Sequence, residues 1–358
     1  MPYTRTSDPS RALRAVRVLP GLAIAVGIAA ISTAVGHVVP LVGSAVPGII
    51  IGVIVGFVIK PGARLKPGIT FASKFVLQLS VVILGTQLSI AEVAQVGLQS
   101  LPVMLGTLLI CLTAAWLFGR LLGVVGDVRT LVGVGTGICG ASAIAAIAPV
   151  IGAVSADVAY AVSTIFLFNI TAVIVFPIVG HALGMSQHAF GLFAGTAVND
   201  TSSVVAAAST YGSAAANYAV VVKLVRTLMI IPISIGLATL VSRRTKAIEA
   251  AETAGSAADG PGPMRMSAGH VFRLIPWFLV GFVIMAILNS TNVIPASAHP
   301  ELSSVSIFLI SVALSAIGLS TDLGALRRAG ARPLLLGALL WVTVSLSSLG
   351  LQWAMHAL

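Results

Sequence analysis

The sequence predicts an all-α, polytopic membrane protein of about eleven transmembrane helices. Three observations predict it. Hydrophobic residues fill 58% of the 358 positions, charged residues only 8%, and the mean hydropathy is +1.07. A soluble domain carries about 25% charged residues, so this chain cannot clothe a water-facing surface. Apolar runs of about 17–25 residues recur along it, the length that a bilayer demands. The basic residues gather in alternate turns between those runs. A water-soluble enzyme, a nucleic-acid binder and a disordered scaffold are thereby excluded, and the lipid bilayer is the solvent.

In chain order the spans fall near 18–39, 41–59, 71–90, 100–119, 131–153, 156–180, 189–210, 217–242, 272–290, 303–323 and 333–356. Residues 1–17 form a basic tail, and 18–40 an additional first helix. That first run follows arginines, as a signal peptide does. Its length and the immediate second span argue that it is retained. With the tail in the cytoplasm, eighteen of the 20 Lys and Arg residues fall on one side, in the tail and in turns near 60–74, 120–129, 243–273 and 327–332. This is the positive-inside pattern, with the N-terminus cytoplasmic and the C-terminus outside. The net charge of +10 therefore reports topology and needs no acidic partner.

Spans two to six (41–180) and seven to eleven (189–356) make two blocks of five. The odd offset turns the second block upside down, which predicts an inverted five-plus-five repeat with two broken crossing helices. Residues 243–270, with the run Gly260-Pro261-Gly262-Pro263, read as a flexible cytoplasmic linker, either a tether or a regulatory loop.

The polar residues inside the spans carry the functional reading. Lys223 and Arg226 lie within the eighth span, three residues apart and so on one helical face. Each costs about 2.5–3.5 kcal/mol at mid-helix on insertion scales. Either that face meets a polar cavity, an acidic partner or an anion, or the side chains snorkel to the interface. Asp200 is the natural partner. It sits in the polar run Asn199-Asp200-Thr201-Ser202-Ser203 of the seventh span, which must line water or protein. It can pair with the cations, take up a coupling proton, or do both.

Gly133, Gly135, Gly137 and Gly140 fall within eight residues of the fifth span, followed by Ser142. They serve either close helix packing or a broken helix whose free N–H groups hold an anion at the midplane. Symmetry predicts a second break near Gly318 in the tenth span, whose polar end holds Ser320 and Asp322. Asp322 also reads as an interfacial residue beside Arg327 and Arg328. Cys111 and Cys139 give no disulfide framework and no zinc spacing.

At these motifs the sequence resembles the YeiH-type family of bacterial membrane proteins, which are labelled sulfate exporters. The pieces that match are GTGICGASAIAA at 135–146, AGTAVNDTSSVVAA at 194–207, KLVRTLMIIP at 223–232 and IGLSTDL at 317–323. The resemblance implies a multi-pass protein of the bacterial plasma (inner) membrane. It also implies a distant similarity to the fold of bile acid/sodium symporters and sodium/proton antiporters, in which two discontinuous helices cross at the midplane. The glycine-rich segment would match the first crossing helix and 310–323 the second.

The expected function is secondary transport of a small anion such as sulfate, a related oxyanion or a sulfonate. Lys223 and Arg226 would attract it, N–H groups around Gly137 and Gly140 would cradle it, and Asn199, Thr201, Ser142 and Ser320 would orient it. Asp200 and Asp322 stand as coupling groups for H⁺ or Na⁺. The alternative keeps the fold and carries a cation or an organic solute, coupled to Na⁺ or H⁺. An intramembrane enzyme rests only on the pair Asp200 and Asp322, and a channel lacks a repeated filter segment. No cofactor, metal or nucleic acid is expected, and a homodimer is left open.

Overall fold

The structure is a computed structural model that describes residues 9–38, 45–124, 126–240, 277–320 and 331–357. Helices alone make up the regular structure of these residues. Seven helices are long and apolar enough to cross a membrane. They are α1 (Pro9–Val38, its apolar stretch Arg17–Gly36), α3 (Lys66–Gln87), α4 (Ile90–Leu121), α7 (Ser155–Ala182), α10 (Ser213–Leu228, continuing to Leu240), α12 (His299–Ser320) and α13 (Ala331–Ala354). The shorter α2 (Ala45–Ile59) and α11 (Trp277–Ser290) run parallel to α12 and α3. Local chemistry sets several ends. Ser89 and Glu92 close a capping box at the start of α4, and left-handed Gly152 ends the segment before α7.

The remaining four helices form two hairpins, which differs from the expected crossings. Helices α5 (Asp127–Gly137), α6 (Ala141–Ile151), α8 (Gln187–Ala197) and α9 (Thr201–Tyr211) have 11 residues each. At 1.5 Å per residue each reaches about 16 Å, half of a hydrocarbon core of about 30 Å. A Cβ on Gly135 of α5 would lie 3.1 Å from Cγ1 of Ile144 on α6. In one straight helix these residues would be about 13 Å apart along the axis. The rings of Phe190 and Tyr211 stack with centroids 3.9 Å apart, and the Tyr211 hydroxyl donates to the Met185 carbonyl at 2.6 Å. Helix α9 therefore returns to where α8 began.

Helix α7, 28 residues long, crosses between the hairpins, so they enter from opposite faces. The expected fifth and seventh spans thus go in and come back. The two changes cancel, and they leave no trace in the charge pattern because residues 151–156 and 181–188 contain no Lys or Arg.

A second correction concerns Gly318. Helix α12 runs unbroken through it to Ser320, and the second interruption lies at 198–200 instead. Gly318 serves close packing: a Cβ there would stand 2.5 Å from the Ile49 carbonyl oxygen and 2.9 Å from Cα of Gly52 on α2. Small residues let membrane helices approach at the backbone. The linker 243–270, Asp322, Arg327 and Arg328 lie outside the described residues.

Packing divides the helices into two bodies. Helices α1, α2, α3, α11 and α12 pack together, as do α4, α7, α10, α13 and the hairpins. Between them lies an apolar seam in which Ile49, Leu84 and Leu314 meet Val205, Val221 and Leu224.

The hairpin topology predicts the outcome of one-sided thiol labelling in intact cells. Val154→Cys and Leu183→Cys replace residues that are 60% and 57% exposed, while both native cysteines are buried. Val154→Cys is expected to label from the same face as a cysteine at Gly123, and Leu183→Cys from the opposite face. Labelling of positions 123 and 154 from opposite faces would show that α5 and α6 form one crossing.

Candidate functional site

The hairpin tips meet at the centre of the molecule. Gly140, in a left-handed conformation (φ +68°), abuts Asp200: a Cβ on it would come 3.2 Å from that of Asp200. Only glycine combines this φ with so close an approach. Each tip joins the C-terminal end of one half-helix to the N-terminal end of the next.

A helix leaves its last four carbonyls without intrahelical donors. In α5 every one is accounted for. Val134 and Gly135 accept from the backbone N–H groups of Ile138 (2.9 Å) and Gly140 (2.9 Å). Gly137 accepts from Nε of Arg226 at 2.7 Å, and Thr136 from Nη2 at 3.1 Å. Nη1 of Arg226 reaches across to the Thr196 carbonyl of α8. Nζ of Lys223 donates to Ile138 and Val198, one carbonyl from each tip, both at 2.8 Å.

Each cation thus bridges both hairpins and faces the negative ends of two helix dipoles. Both are fully buried. Hydrogen bonds to charged groups contribute about 1.5–3 kcal/mol each. Five of them outweigh an insertion cost of about 2.5–3.5 kcal/mol per cation.

Asn169 of α7 pins the second tip. Its Oδ1 accepts from the backbone N–H groups of Asn199 and Asp200, both at 3.2 Å. Asp200 caps α9: its carboxylate accepts from the Ser202 N–H at 3.0 Å and from the Ser202 hydroxyl. Oδ1 of Asn199 is buried without a hydrogen-bond partner.

A cavity of about 650 Å³ opens between the two bodies at this junction. The starts of α6 and α9 (Ala141, Ser142, Asp200, Thr201, Ser202) and Asn169 contribute to its wall. Ser73, Lys74 and Gln78 of α3 and Ser320 at the end of α12 also line it. Ser73 and Lys74 occupy a π turn, Ala72–Val76, a local widening that re-aims side chains and recurs at functional sites. Among the described residues no group of three or more His, Cys, Asp or Glu is placed to hold a metal ion.

The family model described as "Conserved hypothetical protein 698" matches residues 20–337. The chain belongs to this family. It is 39% identical over 341 residues to a UPF0324 membrane protein of Streptococcus pyogenes serotype M3, covering 94% of this chain and 97% of the relative. A UPF0324 membrane protein of Fusobacterium nucleatum is 39% identical over 337 residues, covering 88% and 92%. One from Streptococcus agalactiae serotype V is 38% identical over 343 residues, covering 93% and 96%. No solved structure matches the chain. The family agrees with the YeiH-type resemblance of the four motifs, and three of those motifs supply the two tips and the bridging cations.

In this member of the family, Asp200, Thr201, Ser142 and Ser320 line the cavity. Gly137, Gly140 and Asn199 belong to the tips behind it. Lys223 and Arg226 do not reach the cavity wall, because backbone carbonyls hold them; their partner is the pair of tips rather than Asp200. Asp322 lies outside the described residues. Sequence reasoning missed Asn169, although a lone amide in Phe166-Leu167-Phe168-Asn169-Ile170 was a signal of the same kind as Lys223. It counted Lys74 only as a topology charge.

Loss of the bridge should be measurable as stability. Arg226→Met removes three charge-assisted hydrogen bonds and is expected to cost on the order of 3–5 kcal/mol. Arg226→Lys keeps the charge but not the planar fork and is expected to fall between Met and wild type. Thermal unfolding of the purified protein in detergent checks the order, and a wild-type melting temperature for Arg226→Met would contradict the bridge.

Proposed function

We propose that the protein is a secondary active transporter of a small anion, an oxyanion such as sulfate or a sulfonate, in the bacterial plasma membrane. One observation carries this reading: among the described residues three cations, Lys74 on the wall and Lys223 and Arg226 behind the hairpin tips, stand around a cavity between two bodies that holds one carboxylate, Asp200. Each helix N-terminus adds about half a positive charge and each C-terminus about half a negative one. The dipole ends of the two tips offset one another, so the surplus of cations stands. In a medium of low dielectric that surplus attracts an anion far more strongly than water would allow.

The bound anion meets Lys74 and the hydroxyls of Ser142, Thr201 and Ser202, while Lys223 and Arg226 act through the tips they hold in register. The seam between the bodies is built largely from apolar side chains, which suits movement of one body against the other in alternating access. The basic turns support a cytoplasmic N-terminus.

The Asp200 carboxylate at the cavity also favours a second reading, in which H⁺ or Na⁺ is coupled to the anion or is itself the cargo of a cation transporter.

Flux in proteoliposomes separates these readings. Wild-type protein is expected to move labelled sulfate or a small sulfonate with saturation. Lys74→Gln, which alters an exposed side chain, is expected to lower anion flux at least tenfold while leaving the melting temperature near that of wild type. Flux of Na⁺ or H⁺ that no anion influences would favour the cation reading.

A further inference from the structure

The distribution of chemistry within the cavity bears on what the anion is attached to. The polar groups of the wall come from the hairpin tips, Asn169, Ser320 and the α3 residues Ser73, Lys74 and Gln78. The rest of the wall is largely apolar: Leu77 and Val81 of α3, Ile165 and Phe166 of α7, Phe278 of α11 and Ile317 of α12. A bare tetrahedral oxyanion has no use for such walls, and it would leave most of the roughly 650 Å³ filled with water against hydrocarbon. That volume falls in the range of about 300–1,000 Å³ typical of sites that enclose small organic ligands. Charge points the same way. Among the described residues Lys74 is the one cation on the cavity wall, and the Asp200 carboxylate shares that wall. One negative head can pair with Lys74, whereas a second negative charge would lie against Asp200.

We infer that the cavity takes a small amphiphilic organic monoanion, one sulfonate or carboxylate head on an apolar body, in preference to inorganic sulfate. The head group lies between Lys74 and the hydroxyls of the hairpin tips, and the body lies along Ile165, Phe166 and Phe278. This rests on the anion-transport reading above and narrows its substrate.

Isothermal titration of the purified full-length protein tests it with four sets of probes: sodium sulfate, n-alkanesulfonates from methane to hexane, n-alkanoates of matching length, and alkyltrimethylammonium salts of the same chains. Affinity for the sulfonates or alkanoates is expected to rise about three- to fourfold per methylene, the ratio for about 0.8 kcal/mol per buried CH₂. Sulfate and the ammonium salts should bind at least tenfold more weakly than hexanesulfonate. Phe278→Ala should flatten the chain-length slope while leaving methanesulfonate binding unchanged; the wild-type slope decides the matter if that variant does not fold. Sulfate binding as tight as hexanesulfonate, with no slope, would overturn this inference and leave the anion reading intact. Equal binding of ammonium and sulfonate chains, or of none, would overturn both.

Discussion

The structure depends on the bridge that Lys223 and Arg226 make between two hairpin tips. A half-helix that stops in the middle of a bilayer leaves carbonyls that neither lipid nor water can satisfy. Two such ends meet here, and two adjacent cations on one face of α10 answer both. The cations and the carbonyls are each prohibitive alone. Together they form a closed set of hydrogen bonds, which explains how charges persist where lipid surrounds the protein and how the chain can turn back at the midplane.

That closure also arranges the other ends of the tips. With the C-terminal ends of α5 and α8 held by cations, the N-terminal ends of α6 and α9 are left to face the cavity. Asn169 fixes the second tip from α7, and Asp200 satisfies the first turn of α9. The outcome is a polar focus at the contact between two bodies whose shared seam is otherwise apolar. A change in the relative position of the bodies would expose that focus without disturbing the bridge, because every member of the bridge belongs to one body.

The parts of this arrangement were unequally legible in the sequence. Lys223 and Arg226 stood out because charge within a span is costly, and their shared face follows from a spacing of three. The run Asn199–Ser203 stood out for the same cost and pointed to a water or protein lining, and the glycines around Gly137 offered a break as one of two uses. The path of the chain through those interruptions was not legible. Two half-length helices with a turn between them present the same stretch of hydropathy as one crossing. The turns that would have betrayed a change of side carry no Lys or Arg. Symmetry then misplaced the second interruption: Gly318 has the composition of a break but serves the contact between α2 and α12, and composition cannot distinguish these uses. Lys74 was hidden by its nearness to Arg64 and Lys66, which made a lysine of the cavity wall look like part of a basic turn.

The order of the bridge along the chain has a consequence for biogenesis. Every acceptor lies between Thr136 and Val198, and both donors come later, at 223 and 226. Synthesis from the N-terminus therefore delivers the orphaned carbonyls before the ammonium and guanidinium that neutralise them. Until α10 leaves the insertion machinery, both hairpins are incomplete, and a ribosome halted before residue 223 holds a nascent chain with unanswered turns at the heart of the bilayer.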